Sequence, residues 1–411
     1  MSLKIFAKSF YNKLKRASVF NPSLPMLTPM IPRPDTKIKS DFRLNIVVPT
    51  LNPQHVFGGI TTALKFYEAL ADVLGGKCRM IVSDEATYEE YLSNYPGYVL
   101  CDSESDSTAE KQIVPFSDRA NRTLPVGEND LFITTAWWTA FVTDSVLSYI
   151  NERFGHYFPM IYFIQDYEPF FYPWSSFSAM AESTYHFKKN VIAVFNSHEL
   201  RDYFKIHNYS FFREFYFDPV LNSSLKEEII KNPPKKKEKK ILVYGRPSVS
   251  RNCMELIAES LRKWAVLADD ALEWELISAG EKHPPLVVGN GCTLKSVGKL
   301  TIENYARLMS SCYVGISLMI SPHPSYPPLE MSTFGIKTIT NTYENKDLKS
   351  FNNNIISMSN FTPEEIAEEL VKITDSFSAE AFSIADNTDY FKNDFSFEKI
   401  CKQIKEIINN N

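Results

Sequence analysis

The sequence predicts two open α/β domains in series, each a parallel sheet covered by helices, facing one another across a cleft. Three observations carry this. Short, uniformly apolar runs such as residues 44–49 (LNIVVP) alternate with longer runs of helical period, the pattern of parallel strands buried on both faces. The alternation is interrupted at 231–240 by six lysines and two prolines, and then restarts. The length of 411 residues suits two such domains, at roughly 100–200 residues each.

In the first half, 44–49 reads as a strand, 60–74 as a helix with Leu64, Leu70 and Leu74 in its apolar set, and 79–82 as a second strand. Residues 101–130 read as polar and irregular. Further strands are expected at 131–135, 160–165 and 191–196, the last followed by a helix from Ser197. The segment 231–240 reads as a solvated linker. Beyond it, 241–244, 273–278, 313–319 and 337–340 are expected strands, and 252–267, 301–311 and 329–334 expected helices, with Thr301 as an N-cap. Thr362-Pro363-Glu364-Glu365 has the form of a capping box with proline at the first helical position, opening a helix to about 374. A last helix is expected over 397–408. The domain plan is therefore a basic helix and Pro-rich connector over 1–40, a first domain over 41–230, the linker, a second domain over 241–380, and a helical segment over 381–411 returning to the first domain.

Composition narrows the function. Net charge is −5, from 44 basic and 49 acidic residues, which disfavours a broad nucleic-acid surface. Six scattered cysteines without a CxxC pair indicate a reducing compartment and structural thiols. Aromatic residues make up 14% of the chain, serving both cores and the faces on which sugars and bases stack. The first twenty residues lack the apolar region of a secretory signal, and no window reaches the ~18 apolar residues of a spanning helix. They set Leu3, Phe6, Phe10 and Leu14 against Lys4, Lys8, Lys13, Lys15 and Arg16. That pattern leaves two readings open, a helix packed on the body or a peripheral membrane foot.

Ligands of paired open sheets sit beyond the carboxyl ends of the strands. Three segments lie at such ends, and a fourth lies just before a helix. Gly58 and Gly59 follow the first strand, where glycine lets backbone approach a ligand and a helix start favours an anion. The spacing is not GxGxxG, so a classical NAD site is not expected. Arg246 and Arg251 lie in the loop after the strand that opens the second domain, and guanidinium forks match diphosphate oxygens. Ser325, Tyr326 and Glu330 lie on a Pro-rich loop and the short helix it opens, where a carboxylate can accept ribose hydroxyls. Lys299 and Leu300 precede the Thr301 helix, Lys299 to neutralise phosphate and the backbone at Leu300 to read a pyrimidine edge. A fifth segment, Gln165-Asp166-Tyr167-Glu168, ends a strand with two carboxylates suited to sugar hydroxyls or base chemistry. Trp137 and Trp138 offer either core packing or an acceptor platform. The acidic run 102–106 mimics a metal motif but sits away from a strand end, and the seven histidines show no metal-binding spacing, so no metal site is expected.

Together these segments resemble the GT-B glycosyltransferases, two Rossmann-like domains across a cleft, specifically glycosyltransferase family four. The resemblance covers about 44–375. The Asp166 segment and the Pro-rich loop look closest to WsaF-type rhamnosyltransferases of bacterial surface-glycan synthesis. It implies a metal-independent, cytoplasmic hexosyltransferase, without a cofactor, moving L-rhamnose from dTDP-L-rhamnose to a hydroxyl of a glycan that is lipid-linked in the family's manner. By position, Arg246 matches the diphosphate arginine, Arg251 the usual lysine, and Glu330 the ribose-binding second glutamate of Glu-x7-Glu. The first glutamate of that motif is replaced by Pro322, and Tyr326 stands near the gap. Asp166 and Glu168 take the place of the family's catalytic-side histidine. A nucleotide-sugar epimerase of the same architecture and a non-catalytic two-domain sugar-binding protein remain open alternatives.

Overall fold

The computed structural model describes residues 24–38, 41–56, 58–187 and 190–410. The amphipathic segment read at 1–20 lies outside the described residues. The first domain runs β1 (Ile31–Pro34), β2 (Arg43–Val48), α1 (Gly58–Leu74), β3 (Lys77–Val82), β4 (Val99–Leu100), β5 (Lys111–Pro115), β6 (Thr123–Val126) and β7 (Asp130–Thr134). It continues through α2 (Trp137–Phe154), β8 (Met160–Ile164), α3 (Ser176–Ser183), β9 (Val191–Phe195), α4 (His198–Ile206) and β10 (Arg213–Tyr216). Eight of these strands form one sheet in the order β10-β9-β8-β7-β2-β3-β5-β4, every pair parallel, and β1 pairs with β6 alongside.

The second domain runs α5 (Ser223–Lys231), β11 (Glu238–Gly245), α6 (Met254–Leu267), β12 (Glu275–Gly280), β13 (Leu286–Gly289), β14 (Cys292–Gly298), α7 (Ile302–Ser311) and β15 (Cys312–Ile316). Then come α8 (Tyr326–Thr333), β16 (Lys337–Asn341), β17 (Ile355–Met358), α9 (Pro363–Asp375), α10 (Asp389–Lys392) and α11 (Glu398–Asn409). Its sheet has the order β13-β14-β12-β11-β15-β16-β17, parallel except for the β13–β14 hairpin.

The apolar runs follow from burial on both faces. In β2, Leu44, Ile46 and Val48 enter one core and Val47 the other, because successive strand side chains point to opposite faces. In β8, Ile161 and Phe163 face one core while Met160, Tyr162 and Ile164 face the other. Thr301 and Thr362 cap α7 and α9, accepting from the N–H groups of Asn304 and Glu365 at 3.3 and 3.2 Å.

Three readings need correction. The stretch 101–130 carries β5 and β6. Its polar residues hid them, because those residues are bonded inside: buried Gln112 on β5 donates to the Ala109 carbonyl at 2.9 Å. The acidic run there is structural, with Asp102 paired to Arg122, Glu104 accepting from Thr123, and Asp106 bonded to Arg33 and Thr36. The lysine-rich segment is not a free linker. Residues 238–240 open β11, and buried Lys237 donates to the carbonyls of Met309 at 3.0 Å and Phe334 at 2.9 Å. Finally, Leu225 and Ile229 of α5 pack in the second core with Leu242, so α5, which the plan placed in the first domain, belongs to the second. At the far end, Phe397, Ile400, Cys401, Ile404 and Ile408 enter the first core beside Phe66 and Leu70 of α1, with the rings of Phe66 and Phe397 5.2 Å apart. The chain thus crosses between its domains a second time.

Among the described residues no helix is long and apolar enough to cross a membrane.

Candidate active site

The site forms where the carboxyl ends of β8 and β2 meet those of β11 and β15. After the fully buried β8, the chain turns through Gln165 and Asp166 into a 3-10 turn, Glu168–Phe171, with Pro169 at its second position. Asp166 is buried and accepts from the Ser321 hydroxyl of the second domain and from the Tyr167 N–H at 2.9 Å. Its Oδ2 also faces Nε of Arg251 at 3.5 Å. Gln165 lies over the start of α1: a Cβ on Gly59 would stand 2.2 Å from its Oε1, whereas one on Gly58 would meet nothing within 4 Å. Only the second glycine is therefore demanded by close approach.

Glu168 has a different setting. Its Oε2 accepts from the Trp137 N–H that starts α2 and lies 3.4 Å from the Tyr162 hydroxyl. Burial pushes its carboxyl up to about 8, with the nearby Asp166 charge adding to the effect. A carboxyl so placed accepts at the start of α2. Trp137 is buried and bonds the Tyr172 hydroxyl through Nε1 at 2.9 Å, a core role. Trp138 is half-buried and its Nε1 donates to Asp84 at 2.7 Å.

From the second domain, β11 ends at Gly245, where a Cβ would collide with Ser278 Oγ at 1.9 Å. Arg246 follows at once. Among the described residues it makes no ion pair, and its charge helps the Ser248 bonds hold the Glu281 carboxyl below its ordinary range. Arg251 sits in the short turn Ser250–Asn252 with its guanidinium 4.2 Å over the Phe171 ring of the first domain. Burial lowers its pKa, Asp166 opposes that, and Arg246 as a like charge adds to it. Two cations thus share one loop with a single carboxylate between the domains, a field suited to a diphosphate.

The loop after β15 is rigid. Ser321 Oγ accepts from the His323 N–H at 3.0 Å, and His323 Nδ1 accepts from the Ser325 N–H at 3.0 Å. Ser325 has φ +70, a conformation costly for a residue with a Cβ and common at functional sites. His323 is buried, and burial pushes its pKa down to about 4, with the cations Lys346 and Arg251 acting in the same direction against Asp166. Lys346 is itself fully buried, donates to the Met319 carbonyl at 2.7 Å, and is pushed down to about 7 by burial. Tyr326 opens α8. Burial raises its hydroxyl to about 12 while the Thr62 hydroxyl of α1 reaches it from the first domain. Glu330 follows one turn later rather than at the helix start as expected; burial raises it to about 7, opposed by the Tyr305 hydroxyl. Lys299 is exposed just after β14, and the Leu300 side chain packs on the second core.

The structure therefore gathers Asp166, Arg251, Ser325 and Tyr326 at one seam, with Gly59 tied in through Gln165 and Arg246 and Glu330 alongside. Reasoning from sequence assigned no role to Ser321, His323, Gln165, Phe171 or Lys346. The prolines on both sides of His323 were a usable signal; Lys346, in a polar turn, offered none. Among the described residues, His198, Glu199 and Asp218 bring metal-ligating atoms within 4.8 Å, but they lie at an accessible surface where His198 and Asp218 bond each other at 2.7 Å.

Residues 43–198 match the family model described as WsaF, N-terminal domain, and residues 239–371 the model described as WsaF, C-terminal domain. The chain is 29% identical over 295 residues to an O-antigen biosynthesis protein RfbC of Myxococcus xanthus, across 70% of this chain and 21% of that protein. It thus spans about a fifth of that relative's length. A sucrose-phosphate synthase from Thermosynechococcus elongatus superposes with TM-score 0.57 at 13% identity, covering 90% of this chain and 98% of that one. The lipopolysaccharide outer core galactosyltransferase WaaB gives TM-score 0.54 at 10% identity, covering 91% and 100%. At these identities the likeness concerns the fold, which is GT-B.

Proposed function

The chain belongs to the WsaF family and has the GT-B fold, and from that membership and the cleft chemistry we propose that it is a glycosyltransferase of glycan biosynthesis. Its donor is a nucleotide-diphosphate sugar, specifically dTDP-L-rhamnose. Its acceptor is a hydroxyl of a growing bacterial surface glycan on a lipid carrier, at the cytoplasmic membrane face. The observation that supports this most is the presence of Arg246 and Arg251 together in the loop after β11, with Asp166 facing Arg251 from the end of β8.

On this reading Arg246 and Arg251, with Lys299, hold the diphosphate and stabilise the charge it gains as the sugar–phosphate bond breaks. They do so without a metal. Glu330 holds the ribose. Asp166 accepts from a hydroxyl of the acceptor or sugar, drawing the proton away as the new glycosidic bond forms. Tyr326 borders the sugar. Residues 1–20, outside the described part, supply a basic, apolar foot for an anionic leaflet, each basic charge worth about 1 kcal/mol there.

Incubation of dTDP-L-rhamnose with and without a glycan acceptor tests the reading. Acceptor-dependent release of dTDP with glycan extension supports it. Conversion of the sugar without acceptor would replace it by an epimerase, and tight binding without turnover by a sugar-binding protein.

A further inference from the structure

His323 carries a hydrogen-bond donor that the protein orients and leaves unused. The ring is only 5% exposed. Its Nδ1 accepts from the Ser325 N–H at 3.0 Å, so the neutral imidazole carries its proton on Nε2. Among the described residues, Nε2 has no hydrogen-bond partner. A buried donor left unmet is costly, yet the loop is built to keep it so. Ser321 fixes the main chain of His323 at 3.0 Å, Pro322 and Pro324 flank it, and Ser325 adopts φ +70 while donating to the ring.

The surroundings restrict what the N–H can meet. Tyr326 lies on one side, with ring centroids 5.7 Å apart. Ser321 ties the same loop to Asp166 of the first domain. Arg251, Lys346 and Asp166 are the charged groups that act on the ring. The guanidinium groups supply the charge for an anion, so a neutral N–H at the seam between domains is matched to a neutral oxygen. The seam is also where the transferring sugar must lie, between the diphosphate on one domain and the acceptor on the other.

We propose that His323 Nε2–H donates to an oxygen of the donor's sugar ring or its hydroxyls, making His323 a sugar-contacting specificity residue that uses a hydrogen-bond donor where Pro322 supplies no carboxylate. This rests on the donor reading above. H323N is the informative variant, because its side-chain oxygen can accept from the Ser325 N–H and preserve the loop while the Nε2 donor is lost.

Calorimetry with dTDP-L-rhamnose and with dTDP alone separates the possibilities. H323N is expected to weaken dTDP-L-rhamnose about three- to tenfold, one buried hydrogen bond, and to leave dTDP unchanged; H323Q, which keeps a terminal N–H, should recover most of the loss. Equal weakening of both ligands, or no weakening of either, overturns the inference and leaves the donor reading standing. If the intact protein binds neither ligand, the donor reading falls and this inference with it. Should H323N fail to fold, 15N-histidine spectra of the intact protein decide the matter. A histidine Nε2–H resonance that shifts with dTDP-L-rhamnose but not with dTDP supports the contact, and identical responses to the two ligands overturn it.

Discussion

Asp166 on the first domain and Arg251 on the second face each other across the cleft, Oδ2 to Nε 3.5 Å. The same carboxylate accepts from Ser321, so it is held from the second domain by a cation and a hydroxyl together. A donor diphosphate arriving at Arg251 enters a field in which Asp166 already acts.

Asp166→Asn tests the chemical side of that relationship. The amide oxygen can still accept from Ser321, so the loop should stay in place. Loss of the base lowers kcat by about a hundredfold or more. Removal of a negative charge beside Arg251 leaves dTDP affinity unchanged or raised. A kcat within twofold of the parent would remove Asp166 from the mechanism.

Arg246→Ala addresses the diphosphate grip. Charge-assisted bonds contribute about 1.5–3 kcal/mol, so dTDP affinity should fall tenfold or more. Because Arg246 makes no ion pair among the described residues, Tm should barely move. Arg251→Ala should weaken dTDP as well and also lower Tm, since Asp166 and the Phe171 ring each lose a partner. Unchanged dissociation constants in calorimetry would remove the arginines from the donor site.

Glu168 gives a prediction in pH. Its folded value of about 8 lies above the ordinary carboxyl value, which is about 4.3 in the unfolded chain. The folded state therefore binds the proton more tightly. The stability this group contributes is present below about pH 4.3 and is lost progressively as pH rises towards 8, by at most about 1.4 kcal/mol per unit. Glu168→Gln keeps an acceptor for the Trp137 N–H and removes the titration. The Tm of E168Q minus that of the parent should grow between pH 5 and pH 8. A constant difference would mean that Glu168 is ionised in the folded protein.

Transfer should survive a chelator, since Arg246, Arg251 and Lys299 can neutralise the leaving diphosphate and the carboxylates of 102–106 are bonded to Arg122, Thr123 and Arg33. Activity lost in EDTA and restored by magnesium would put a metal into the mechanism.

Much of this was legible in the sequence because strands buried on both faces must be apolar throughout: β2, β8, β9 and β11 stand out for that reason. β5 did not, because buried Gln112 satisfies its amide locally and reads as surface. Lys237 misled in the same way, as a buried lysine bonded to main-chain carbonyls far away in sequence, and Lys346, bonded to the Met319 carbonyl, gave no sign of its burial. At the site, Asp166 and Arg251 were visible as polar residues at strand ends. Their pairing was not, because it joins positions on different domains. Glu168 was visible too, but which way it points depends on Trp137, thirty-one residues earlier in the chain.

A crystal structure of the protein with dTDP-L-rhamnose tests the central claim most directly. The diphosphate is expected within hydrogen-bonding distance of both Arg246 and Arg251, the ribose on Glu330, and the sugar at the seam beside Asp166. A diphosphate bound away from both arginines, or a nucleotide seated on the first domain instead, would contradict it.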